Sequence, residues 1–220
     1  PNPKPQTPNP KPQPPIIYLN IYKNCIFIMK KFKINIIQTI TARNSKKTIS
    51  GILDKFTLTE EQIMIKEIAS NWSKENLAPH ANEWDENSHF PEDVIKSSAS
   101  LGFGGIYIPE KFGGSGLGRL EASLIFEALS EGCVATSAFL SIHNMVNWVI
   151  SNFGSDELSK NYCNRLSSFD IIGSYCLTEP NSGSDAASMK TTARKDGNDY
   201  IINGSKTFIS GAGSSDIYVV

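Results

Sequence analysis

Residues 166–185 read LSSFDIIGSYCLTEPNSGSD, and inside them the period of the apolar residues changes. Upstream, Leu120, Leu124, Ile125, Ala128 and Leu129 recur three and four apart, the spacing of one helix face. Downstream, short runs are broken by turn residues, and 173–179, 191–195, 200–203, 206–210 and 216–220 read as strands. Asp196-Gly197-Asn198 is a hairpin signal between two of them. Helices followed by strands, without alternation, predict an α+β fold. An N-terminal all-α helical domain over 54–170 is joined to an antiparallel β domain over 171–220. The final run, Asp216-Ile-Tyr-Val-Val220, stops in mid-strand, so the β domain is expected to be truncated.

The helical half carries its own punctuation. Thr59 with Gln62 forms a capping box ahead of Ile63, Ile65, Ile68, Ala69 and Trp72, a helix expected to end near Pro79. Pro91 suits the first turn of a second helix holding Val94, Ile95 and Leu101, with Gly102 as its stop. The stripe from Leu120 closes at Gly132. Residues 135–153 are almost wholly apolar and predict a central fourth helix. Residues 156–166 predict a fifth, capped by Ser155 or Asp156.

Before Asp54 the composition is different. Residues 1–15 hold eight prolines and repeat PNPKPQ at 1–6 and 8–13, so 1–28 reads as a Pro-rich, low-complexity tail. The apolar run 16–29 is interrupted by Lys23 and bounded by Lys30, Lys31 and Lys33, too short for a membrane span. Residues 29–53 are basic, rich in Ser and Thr and free of acid, with Phe32, Ile36, Ile37 and Ile40 at helical spacing. That pattern predicts a mitochondrial transit peptide beginning at Met29 and a mitochondrial matrix location. Residues 1–53 carry nine Lys/Arg and no acid, whereas 54–220 carry 12 basic and 22 acidic residues. A body that acidic is a poor partner for nucleic acid. Cys25, Cys133, Cys163 and Cys176 have no metal-ligand spacing and read as scattered free thiols, so no metal site is expected.

Few motifs carry chemistry. Gly113-Gly-Ser-Gly-Leu-Gly118 fits neither GxGxxG nor the P-loop pattern and reads as a connector; Gly211-Ala-Gly213 reads as a turn. His143, within the apolar fourth helix, reads as a satisfied core histidine, and Trp84-Asp-Glu86 as a solvated face. The segment Tyr175-Cys-Leu-Thr-Glu-Pro-Asn-Ser-Gly-Ser-Asp185 is more informative. A strand runs into Pro180, and the small polar turn beyond it offers amides, the Thr178 hydroxyl and the Ser184 hydroxyl to a polar ring edge or a phosphate. Some 25 residues on, Lys206-Thr-Phe-Ile-Ser210 adds an aromatic wall, Phe208, and a hydroxyl, Ser210. A flat conjugated cofactor wants that combination of π face and edge donor.

These two segments, with Ile202-Asn-Gly-Ser-Lys206 and Phe112-Gly-Gly-Ser-Gly116, resemble the signatures of the acyl-CoA dehydrogenase family over about 57–220. Ser141-Ile-His-Asn-Met145 and 211–219 are similar to its branch acting on short branched acyl groups of the isobutyryl type, in valine breakdown. The resemblance implies FAD as cofactor. Tyr175, Cys176, Leu177, Thr178, Gly183 and Ser184 would line it, with Ser184 also touching the acyl-CoA. Phe208 would pack on the flavin ring, beside Ile209, and the hydroxyl of Ser210 would approach its N5. Phe208 and Ser210 stand where the family more often has Trp and Thr, and Asn181 replaces a frequent Gly. The implied reaction is α,β-dehydrogenation of an acyl thioester by a homotetramer that passes electrons to an electron-transfer flavoprotein. The family's catalytic glutamate belongs to a C-terminal helical domain, so no catalytic residue is assigned within 1–220, and the chain alone is expected to be inactive. An acyl-CoA oxidase, a flavin monooxygenase of the same scaffold, or a non-catalytic fragment pairing with intact subunits remain alternatives.

Overall fold

The computed structural model describes residues 57–220. The expected Pro-rich tail and transit peptide lie outside the described residues.

Six α-helices form the first layer: α1 (Glu60–Asn76), α2 (Ala81–Glu86), α3 (Glu92–Ser97), α4 (Arg119–Ser130), α5 (Val134–Phe153) and α6 (Asp156–Ser167). The capping box at α1 is formed in full: the Gln62 amide donates to Thr59 Oγ1 at 3.2 Å, and the Thr59 amide donates to Gln62 Oε1 at 3.1 Å. Ser155, rather than Asp156, caps α6, accepting from the Leu158 amide at 3.2 Å. The second predicted helix stops where expected, but in two pieces, since α3 tightens into a 3-10 turn over Ser98–Leu101. Gly102 ends it at φ 75°, a left-handed cap that L side chains rarely adopt. Sequence periodicity did not delineate α2, whose six residues hold too short a stripe. Asp85 and Glu86 are exposed as expected, while Trp84 turns inward onto the main core.

Leu77, Ile95, Ala128, Leu129 and Leu140 are fully buried and lock α1, α3, α4 and α5 into one apolar core. Replacing any of these Leu or Ile side chains by Ala typically costs about 2–5 kcal/mol. A second cluster, Val146, Ile150, Cys163, Leu166 and Ile171, joins α5 and α6 to Ile217 and Val219 of the β region. The helix α5 therefore belongs to both cores, as its near-continuous apolar sequence predicts. Its buried polar residues tie down neighbouring segments. Asn144 accepts from the Ile106 amide at 2.8 Å and donates to the carbonyls of Phe103 at 2.7 Å and Leu140 at 3.0 Å. One amide side chain thus satisfies an otherwise irregular buried loop.

Beyond Phe169 the chain forms β1 (Gly173–Tyr175), β2 (Thr192–Asp196), β3 (Asp199–Asn203) and β4 (Ile217–Val219). The hairpin β2–β3 is antiparallel and turns at Gly197, φ 61°. In contrast with the antiparallel expectation, β1 and β4 pair in parallel, Gly173 opposite Ile217 and Tyr175 opposite Val219. A parallel pair needs a long crossover, and the whole stretch 176–216 supplies it. The predicted strand over 206–210 is absent: Phe208 sits at φ 55° and Gly211 at φ 80°, so the chain turns instead of extending. The first predicted strand is cut to three residues because Glu179 and Ser182 bond each other across a tight turn at Pro180.

Candidate functional site

Two chain segments, one continuing from β1 and one following β3, lie against each other. The first continues β1. The Cys176 amide donates to Val219 O at 2.7 Å, holding the chain extended one residue past the strand. Leu177 and Thr178 follow, half-buried, before the turn in which the Glu179 amide donates to Ser182 O at 2.9 Å and the Ser182 amide to Glu179 O at 3.1 Å. Ser182 also donates through its hydroxyl to Asp185 O at 2.6 Å. Gly183 and Ser184 are exposed in this turn, and nothing stands within 4 Å of where a Cβ on Gly183 would be.

The second segment is 206–210. The Thr207 amide donates to Thr178 O at 2.9 Å, and Lys206 Nζ donates to Leu177 O at 3.0 Å. The two segments singled out in the sequence are therefore neighbours, joined through main-chain carbonyls. Phe208 presents its ring to the outside at 91% exposure. So bare an aromatic, held in left-handed backbone, is an apolar face offered outward and not a core residue out of place. Ile209 is half-buried, and Ser210 is exposed, its carbonyl accepting from the Ser174 hydroxyl at 2.5 Å. Ser174 also shares a hydrogen bond with the Ser215 hydroxyl at 2.6 Å.

Behind Ser210 the fold is tight. A Cβ added to Gly211 would lie 2.6 Å from Phe139 of α5 and 2.8 Å from both Ser174 and Ser215 hydroxyls. Only Gly fits there, on steric grounds as well as for its φ. Phe139 is thus wedged between this turn and a hollow of about 730 Å³ on the helical side, whose walls include Trp84, His89, Phe90, Pro91 and Thr136. Nothing in the spacing of those residues announced a common cavity, since they come from α2, the connection to α3, and α5.

The electrostatics separate binding groups from structural ones. Glu179 is 7% exposed, and its carboxylate accepts from the Lys190 amide at 2.7 Å, the Thr191 amide at 2.9 Å and Lys206 Nζ at 3.0 Å. Hydrogen bonding from Thr191, then from Lys190, brings its pKa down to about 2. A carboxylate so occupied has no basicity for proton abstraction, which agrees with reading Glu179 as a turn residue. The sequence did not connect Glu179 with Lys206, 27 positions away. Burial pushes the Cys176 thiol pKa up, so this residue offers its backbone and not a thiolate. His143 is fully buried; Nδ1 accepts from the Gly173 amide at 3.2 Å, which leaves Nε2 to donate to Leu166 O at 2.9 Å. Burial lowers its pKa to about 4, and it is the satisfied core histidine the sequence predicts. Among the described residues, no three His, Cys, Asp or Glu side chains converge as a metal site, and no helix is long and apolar enough to cross a membrane.

A helical bundle abutting a β region whose two exits hold an open aromatic face defines a class of proteins that bind flat cofactors between domains. Residues 59–170 match the acyl-CoA dehydrogenase N-terminal domain and residues 174–220 the acyl-CoA dehydrogenase middle domain. The chain belongs to the acyl-CoA dehydrogenase family. It is 49% identical over 172 residues to the mitochondrial isobutyryl-CoA dehydrogenase of Bos taurus, covering 78% of this chain and 41% of that protein. It is 52% identical over 163 residues to the one from Dictyostelium discoideum, covering 74% and 39%. The chain thus spans about two-fifths of these relatives' length. The structure of PigA with FAD and proline superposes with a TM-score of 0.69 at 32% identity, over 74% of this chain and 43% of that one.

Proposed function

We propose that the full-length protein containing these two domains is an FAD-dependent dehydrogenase that removes hydrogen across the α,β bond of a short branched acyl-CoA of the isobutyryl type. The observation that carries this reading is the Thr207–Thr178 hydrogen bond, which sets the uncovered Phe208 ring beside the polar turn after β1. The site residues fit an isoalloxazine: Phe208 supplies a face, Thr178 and Ser210 supply hydroxyls, and the backbone of Tyr175, Cys176 and Leu177 forms the floor. The open turn at Gly183 and Ser184 leaves room for the thioester-bearing ligand, with Ser184 as its contact. Bound there, FAD supplies a hydride acceptor for the substrate's β-carbon.

The chain's own residues bind and orient the ligand. Neither Glu179, saturated by its partners, nor His143, buried in its neutral form, supplies the base. The α-proton of a thioester is weakly acidic, so its removal needs a carboxylate held at the substrate, contributed from beyond residues 57–220. The hollow against Phe139 suits the acyl end, being walled largely by apolar side chains that touch the flavin-side turn through one ring. The similarity to mitochondrial isobutyryl-CoA dehydrogenases supports the branched substrate and a mitochondrial location; a matrix location, a homotetramer and electron-transfer flavoprotein as acceptor complete the proposal.

Anaerobic titration of the purified full-length protein with isobutyryl-CoA tests the reading. The expected result is a yellow protein whose visible flavin band bleaches on addition of substrate and recovers with electron-transfer flavoprotein, not with air. A protein that stays colourless after soaking in FAD would refute it. Residues 1–220 alone should bleach no dye acceptor.

A further inference from the structure

The geometry points to Glu179 and Lys206 as a positioning pair, whose contact fixes the separation of the two strand exits and hence the seat of the flavin ring. This rests on the reading that FAD occupies those exits. Lys206 Nζ reaches Glu179 Oε1 and Leu177 O, both at 3.0 Å, and lies 3.4 Å from Met189 Sδ. The Glu179 carboxylate reaches onward to the amides of Lys190 and Thr191. Segments at 177–179, 189–191 and 206–207 therefore converge on a single ion pair.

Its surroundings separate it from the other ion pairs among the described residues. The Lys66–Glu127 and Lys96–Glu92 side chains are all more than a third exposed, whereas Lys206 and Glu179 are 14% and 7% exposed. A shielded, multiply bonded pair holds its geometry, and loss of one partner strands the other charge away from water. Each end also adjoins a flavin-binding residue. Thr178 precedes Glu179, and Phe208 follows Lys206 by two positions, so the clasp and the Thr207–Thr178 bond form two rungs between the exits. Any slip along these rungs moves the aromatic face relative to the polar turn.

The test uses full-length enzyme loaded with FAD, with Lys206→Met, which keeps the stem and removes the charge. Expected are a loss of FAD affinity of about tenfold and an altered visible circular-dichroism band of the bound flavin. Lys206→Arg should restore most of both. A merely structural role would lower the melting temperature and leave the flavin band of the bound fraction unchanged. Should Lys206→Met fail to fold, the isosteric Glu179→Gln replaces it, with the same loss expected. Wild-type affinity and an unchanged flavin band in whichever variant folds overturn the proposal, while a yellow wild type keeps the functional reading intact. A colourless wild type overturns both.

Discussion

The helical bundle and the paired strand exits handle polar atoms in opposite ways. In the bundle, side chains satisfy the buried backbone: Asn144 serves Phe103, Ile106 and Leu140, and His143 bridges Leu166 to Gly173. Around the exits the main chain is held by backbone bonds, as between Thr207 and Thr178, and by the Lys206–Glu179 pair, while side chains such as Phe208, Ser184 and Ser210 are left facing outward. The first region spends its chemistry on its own stability. The second holds its main chain fixed so that its side chains remain available to a ligand.

The sharpest way to break this contrast is Asn144→Ala. It strands the buried Ile106 amide and Phe103 carbonyl, and should cost about 4 kcal/mol in urea unfolding. A cost under about 1 kcal/mol would mean the 103–106 loop is held by other contacts. Acid sharpens the contrast next. His143 is fully buried with a folded pKa of about 4 against an ordinary 6.5, so between those values the unfolded chain binds the extra proton. Stability from this residue is complete above pH 6.5 and lost as pH falls towards 4, by about 3 kcal/mol. His143→Gln should flatten that slope in pH-dependent denaturation, and an unchanged slope would show that another group carries it. Glu179 acts in the same direction but lower, between its ordinary range and about 2. Phe208→Ala is expected to have the smallest effect on stability, within about 0.5 kcal/mol, because the ring covers nothing in the protein. In the full-length protein the same change should still weaken FAD binding measurably by fluorescence titration. If it instead destabilises the fold and leaves FAD binding alone, the two regions are not divided as described.

Much of the helical layer was legible because its signals are local. Thr59, Ser155 and Gly102 act within four residues of themselves, and the α4 stripe states its buried face directly. The helix α2 escaped because only Ala81 and Trp84 mark its inner side. In the β region, the short run Lys206-Thr-Phe-Ile-Ser210 between turn residues suggested a strand, yet Phe208 adopts positive φ and the segment turns. Side-chain pattern carries no information about that backbone choice. Parallel pairing of β1 with β4 was equally hidden, since Ile172 and Asp216, whose amide and carboxylate bond at 2.8 Å, are 44 residues apart. The two segments could be singled out in the sequence, and the bonds that bring them together could not. Those run through carbonyls and amides that every residue possesses.

The parallel ladder also sets an order of events during folding. Both ligand-facing segments belong to an excursion that departs after Tyr175 and comes home at Ile217. Closing so long a circuit must be met entropically before either segment has a fixed place. The helices, whose hydrogen bonds close within their own turns, are free to form earlier. A ribosome would therefore deliver a folded platform first, and the cofactor's berth would crystallise out of the chain only after Ile217, Tyr218 and Val219 had emerged and docked.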